Sequence, residues 1–199
     1  MKILTDFTAG ELSEKFLGRP DLAIYQRGAL EITNAVPFFP GGVTIRPGFE
    51  WIGTIGLVET LLHAFIISPT LSYVLEFTSK RIRVWESGNL LKSGGTPITI
   101  TTPFTDIEHL QFAQDSSKLF IASGIAPVQV LEMTTIGSFT FGDLQITGNE
   151  GKLPFQGIGN YPKAIAIHDG CLWLAATESE PQALWRSKPF DYGNFTFFE

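Results

Sequence analysis

Cysteine is almost missing from this sequence: Cys171 is the only one, so no internal disulfide can form. Its setting, Gly170-Cys171-Leu172-Trp173-Leu174, reads as a strand holding a buried, inert thiol. Histidine is nearly as scarce. His63, His109 and His168 lie in separate segments, and no HxH, HExxH or CxxC spacing occurs. A zinc site needs about four converging nitrogen, sulfur or oxygen donors, so the expectation is no metal. No GxSxG elbow occurs, and neither Gly88 with Gly94-Gly95 nor Gly157 with Gly159 is followed by the Lys and hydroxyl residue of a P-loop. The expectation is therefore a non-enzyme, with no catalytic residue, no cofactor and no metal.

Charge and long apolar runs are also limited. Charged residues make up 17% of the chain and the formal net charge is -6. That balance disfavours a protein that holds nucleic acid by neutralising phosphates. The most apolar stretch, Ile52 to Ile67, is interrupted by Glu59 and His63 and is shorter than the roughly 20 residues that cross a bilayer. Met1-Lys2-Ile3-Leu4-Thr5-Asp6 has no apolar h-region before its first acid. A soluble protein made in a reducing compartment, without a membrane partner, is expected.

Apolar bulk is what the chain does have: 17 Phe and 4 Trp among 199 residues that are 44% hydrophobic. This is enough for one large β domain or two small ones. The pattern divides the chain into an N-terminal arm, residues 1–28, and a β-rich body, residues 29–199. In the arm, Thr8-Ala9-Gly10-Glu11 has capping-box spacing and predicts a short helix ending near Gly18. Pro20 sits where a first helical turn tolerates it, before Asp21 to Tyr25. The arm holds few apolar residues and is expected to pack on a neighbour, either its own body or another subunit.

From Ala29 the period becomes two. Leu30, Ile32 and Val36 share one face, Glu31 and Thr33 the other, and Pro40-Gly41-Gly42 turns the chain toward Val43 to Arg46, which predicts a hairpin. A second hairpin joins Ser72–Phe77 to Arg81–Trp85, with Ile82 and Val84 on one face and Arg81, Arg83 and Trp85 on the other. Lys118–Ala122 with Val128–Met133 parallels Cys171–Ala175 with Gln182–Ser187. A polar turn precedes the first strand of each pair, at Asp115-Ser116-Ser117 and at His168-Asp169-Gly170. The later copies are about 53 residues apart and the Ser72 hairpin lies about 46 before them, a spacing typical of propeller blades. The expected fold is mostly β, with antiparallel hairpins in a partial or open β-propeller-like arrangement and a short helical N-terminal arm. An ordinary antiparallel sandwich is the alternative.

Elsewhere, Thr105-Asp106-Ile107-Glu108 is a second capping-box match and predicts a short turn of helix before Leu110. The same role accounts for the Asp106 and Glu108 carboxylates better than acid–base chemistry does. Gly142 to Tyr161 reads as a long loop. Lys80, Arg81 and Arg83 read as a solvated hairpin edge that discourages strand addition.

The opening Thr5-Asp6-Phe7-Thr8-Ala9-Gly10-Glu11-Leu12-Ser13, then Gly18-Arg19-Pro20-Asp21-Leu22, Tyr25, Pro40-Gly41-Gly42 and Arg46-Pro47-Gly48, resembles the start of tail tube or nozzle proteins of short-tailed bacteriophages and prophages (tubular tail B-like, tail stabilisation proteins). The similarity continues through Tyr73-Val74-Leu75-Glu76-Phe77 with Ile82-Arg83-Val84, and Thr102 to Thr105 with Leu110 to Ser116. It ends at Trp185-Arg186-Ser187 with Asp191-Tyr192-Gly193-Asn194-Phe195. The resemblance implies a non-enzymatic virion component that forms a homo-oligomeric ring, commonly a hexamer. It also implies propeller-like domains and contacts to the portal or adaptor and other tail proteins, with DNA passing through unretained. The location it implies is the virion tail, with host cytoplasm during assembly. The competing reading is a propeller-like or sandwich module that recognises a carbohydrate or host-surface ligand through aromatics such as Trp51, Trp85 or Tyr192.

Overall fold

The computed structural model describes residues 5–16, 18–55, 59–148, 155 and 159–196. The chain forms two compact units, Met1–Trp51 and Ile52–Glu199. The sequence-based division at residue 28 differs from this one, because the hairpin expected to open the body belongs to the N-terminal unit.

Among the described residues, backbone pairing rather than a core organises the N-terminal unit. Strand β1 (Gly10–Glu11) pairs in parallel with β2 (Gly28–Ala29), and β3 (Ala35–Pro37) pairs antiparallel with β4 (Val43–Ile45). The helical segments are 3-10 turns at Glu14–Phe16 and Ala23–Arg27. The expected capping box does not form, since Gly10 and Glu11 are strand. Thr8 instead donates its amide (2.9 Å) and hydroxyl (2.7 Å) to Asp6 Oδ1. An aspartate two residues upstream offers the same amide a competing partner, and it wins. The alternating run from Leu30 shrinks to β3, leaving Leu30 exposed.

The larger unit contains three antiparallel meanders. In the first, β5 (Leu61–Ser68), β6 (Leu71–Thr78) and β7 (Arg81–Glu86) follow in order. Two small ribbons come next: β8 (Asn89–Leu90) returns against β7, and β9 (Lys92–Ser93) pairs with β10 (Thr96–Pro97). Strand β11 (Thr99–Thr101) then completes the order β11-β7-β6-β5. The second sheet runs β12 (Gln111–Asp115), β13 (Lys118–Ala122), β14 (Gln129–Thr135) and β15 (Ser138–Asp143) in sequence order. The third runs β16 (Ala164–His168), β17 (Cys171–Ala175) and β18 (Leu184–Arg186).

Two corrections apply to this unit. Thr105 to Glu108 starts no helix: Asp106 Oδ1 accepts the Glu108 amide at 2.9 Å, closing a local turn before β12. The expected loop from Gly142 begins later, because β15 continues through Asp143; much of the remainder, 149–154 and 156–158, lies outside the described residues.

Period-two alternation explains how the sheets stack. Along the second sheet, Leu119, Ile121 and Leu131 enter one core with Phe65, Tyr73, Leu75, Phe77, Ile82 and Val84 of the first sheet. Phe120 and Val128 point the other way, into a second core with Leu172 and Leu174 of the third sheet, Phe155 and Phe195. A strand whose two faces are both covered reads as a continuous apolar run, as Leu119-Phe120-Ile121-Ala122 does. Burying each such large side chain contributes about 1.5 to 3 kcal/mol before entropy is charged against it.

First strands also meet side by side. The Gln114 carboxamide on β12 accepts the Ile66 amide (3.3 Å) and donates to the Ile66 carbonyl (2.6 Å), imitating one rung of a ladder with β5. Next to it the His63 ring stacks on Phe112, with centroids 4.2 Å apart.

Candidate interaction surfaces

The first sheet has an inner face in the core and an outer face whose exposed side chains are largely apolar. Register places Leu62 opposite Glu76 and Glu76 opposite Arg83, with Ala64, Val74 and Trp85 in the next row. On this outer face Leu62 and Val74 remain exposed. Residues Ile52 to Ile55 run across part of it. They approach so closely that a Cβ on Gly53 would meet the Trp85 ring at 2.7 Å, and one on Gly88 would meet Ile52 at 2.7 Å. Between this segment and the sheet is a cavity of about 410 Å³ lined by Ile52, Ile55, Leu62, Val74 and Trp85, with Ser72 and Ser87 at its margin.

A buried carboxylate anchors that face. Glu76 is fully buried, yet both of its oxygens are engaged: Arg83 donates from Nε (3.1 Å) and Nη2 to Oε1, and Trp85 Nε1 donates to Oε2 at 2.7 Å. A charge this deep is tolerable only when paired and hydrogen-bonded. The result fixes Trp85 as a rigid wall of the cavity and takes Arg83 out of the solvated edge expected for it. The sequence offered Glu76 only as part of a motif; its partner became visible once β6 and β7 were in register.

The N-terminal unit presents a different surface. Phe39, Ile45, Phe49 and Trp51 are 97%, 83%, 90% and 79% exposed, and Leu30 and Val36 are also exposed. Arg46 lies over the Phe49 ring at 4.9 Å. No large apolar side chain of this unit is buried among the described residues. Its fixed points are polar: Arg27 bonds to Asp6 Oδ2 (2.7 Å) and to Thr8 Oγ1 (2.7 Å). These hydrogen bonds, the Thr8 amide first and then its hydroxyl and Arg27, hold the Asp6 carboxyl at about 2, below its usual value of 3.8.

The three histidines lie apart from one another. His63 is half-buried in the joint between first strands, and burial alone lowers its pKa. His109 is exposed beside Asp106, at 3.3 Å, and His168 ends β16 at a turn, exposed beside Asp169 at 3.4 Å. Among the described residues, no three His, Cys, Asp or Glu side chains are grouped as a metal site. Cys171 is buried in β17, as its strand setting implied.

The chain matches no protein-family model and no curated protein. Surfaces and their chemistry are therefore the basis for a functional reading. Of the aromatics considered for ligand recognition, Trp51 is exposed, whereas Trp85 is half-buried with its N–H committed to Glu76. Tyr192 is half-buried, packs edge-on against Phe120 and donates its hydroxyl to Asp115. Burial first, then the Asp115 hydrogen bond and charge, push the Tyr192 pKa up to about 12. This tyrosine acts as a clasp between β12 and the chain after β18.

Proposed function

We propose that this chain is a non-enzymatic structural subunit of a phage tail tube or nozzle, assembling into a homo-oligomeric ring, by resemblance a hexamer. The observation that carries the reading is the N-terminal unit, which exposes large aromatic and aliphatic side chains and, among the described residues, buries none of its own. A segment with that balance gains little from folding alone and much from being covered by a neighbour. Phe39, Phe49 and Trp51 would each bury on the order of 150 to 250 Å² at such a contact. A few residues of this size approach the roughly 800 Å² per partner of a stable interface.

In this reading the three stacked meanders are successive blades of a partial propeller, each first strand beside the next, and the N-terminal unit docks through Phe39, Phe49 and Trp51 on an adjoining subunit or on the portal or adaptor. The net charge of -6 leaves passing DNA unretained. The protein belongs in the virion tail, with the host cytoplasm as its place of assembly. Electron microscopy of the purified chain tests the proposal: rings with an axial opening are expected, and monomers at all concentrations would remove it.

The cavity beside Trp85 favours a second reading, a binding module for a carbohydrate or host-surface ligand. A glycan array separates the two. Selective sugar binding by the monomer, lost in Trp85→Ala, would favour the module.

A further inference from the structure

We draw no further inference here: the strongest candidate, the apolar cavity on the outer face of the first large sheet between Ile52–Ile55 and Trp85, belongs to the surface already described, and nothing in the structure shows what covers it.

Discussion

The two units use similar residues in opposite ways. Phe65, Phe77, Phe104 and Phe120 in the larger unit are at most 1% exposed, while Phe39 and Phe49 in the smaller one are at least 90% exposed. The larger unit stacks sheet on sheet, so each alternating strand finds an apolar partner. Among the described residues the smaller unit has only two-stranded ribbons, and ribbons of that size are marginal by themselves in water. Apolar content alone therefore does not distinguish a core from an exposed surface; the number of strands available to cover each face does.

Substitutions should separate the units sharply. Phe77→Ala removes a ring that packs on Phe112 in the joint between the first two sheets and should cost about 3 to 5 kcal/mol in denaturant unfolding. Phe39→Ala, in the N-terminal unit, should stay within about 0.5 kcal/mol on the same measurement while weakening assembly. Equal losses would erase the contrast.

A somewhat smaller effect is expected at the buried carboxylate. Glu76→Ala strands Arg83 and the Trp85 N–H and should cost roughly 3 kcal/mol. Adding Arg83→Leu should recover part of that loss in a double-mutant cycle; additive losses would mean the pair is not coupled. Ser187→Ala removes a buried hydroxyl that accepts the Leu172 amide at 2.9 Å and donates to the Lys188 carbonyl at 3.0 Å. It should cost about 1 to 3 kcal/mol, read as a lowered melting temperature.

Acid should probe each unit through a different group, with the smallest effects. His63 has its pKa lowered from 6.5 by burial, so the unfolded chain binds its proton more readily. Its contribution is intact above pH 6.5 and is lost as pH falls toward the lowered folded value. His63→Phe should flatten stability across that window. Asp6, held at about 2 against 3.8 unfolded, contributes above pH 3.8 and loses that contribution as pH falls through about 2. Amide exchange at Thr8 should accelerate there, and Asp6→Asn should abolish the dependence.

Much of the larger unit is legible in the sequence where alternation and turn chemistry agree. Ile82 and Val84 alternate with Arg81 and Arg83, and Lys80 adopts positive φ at the tight turn before them. The recurring pairs Lys118–Ala122 and Cys171–Ala175 announce their strands for the same reason. The first strand of each meander is harder to read. Strand β12 is Gln-Phe-Ala-Gln-Asp, with a glutamine serving the joint to β5, and β5 looks like an unspecific apolar run until Phe65 and Ile66 are seen on opposite faces. Both capping-box matches failed because Asp6 and Asp106 satisfy amides two residues ahead without any helix. The cavity beside Trp85 leaves no local signal, since it depends on Ile52 to Ile55 crossing a sheet built from later residues.

Removing residues 1–51, the unit that carries Phe39, Phe49 and Trp51, and comparing mass and circular dichroism with the full chain tests the central claim most directly. The account predicts that the truncated protein keeps its β-rich spectrum but no longer forms rings. Rings of unchanged size and stability after truncation would contradict it.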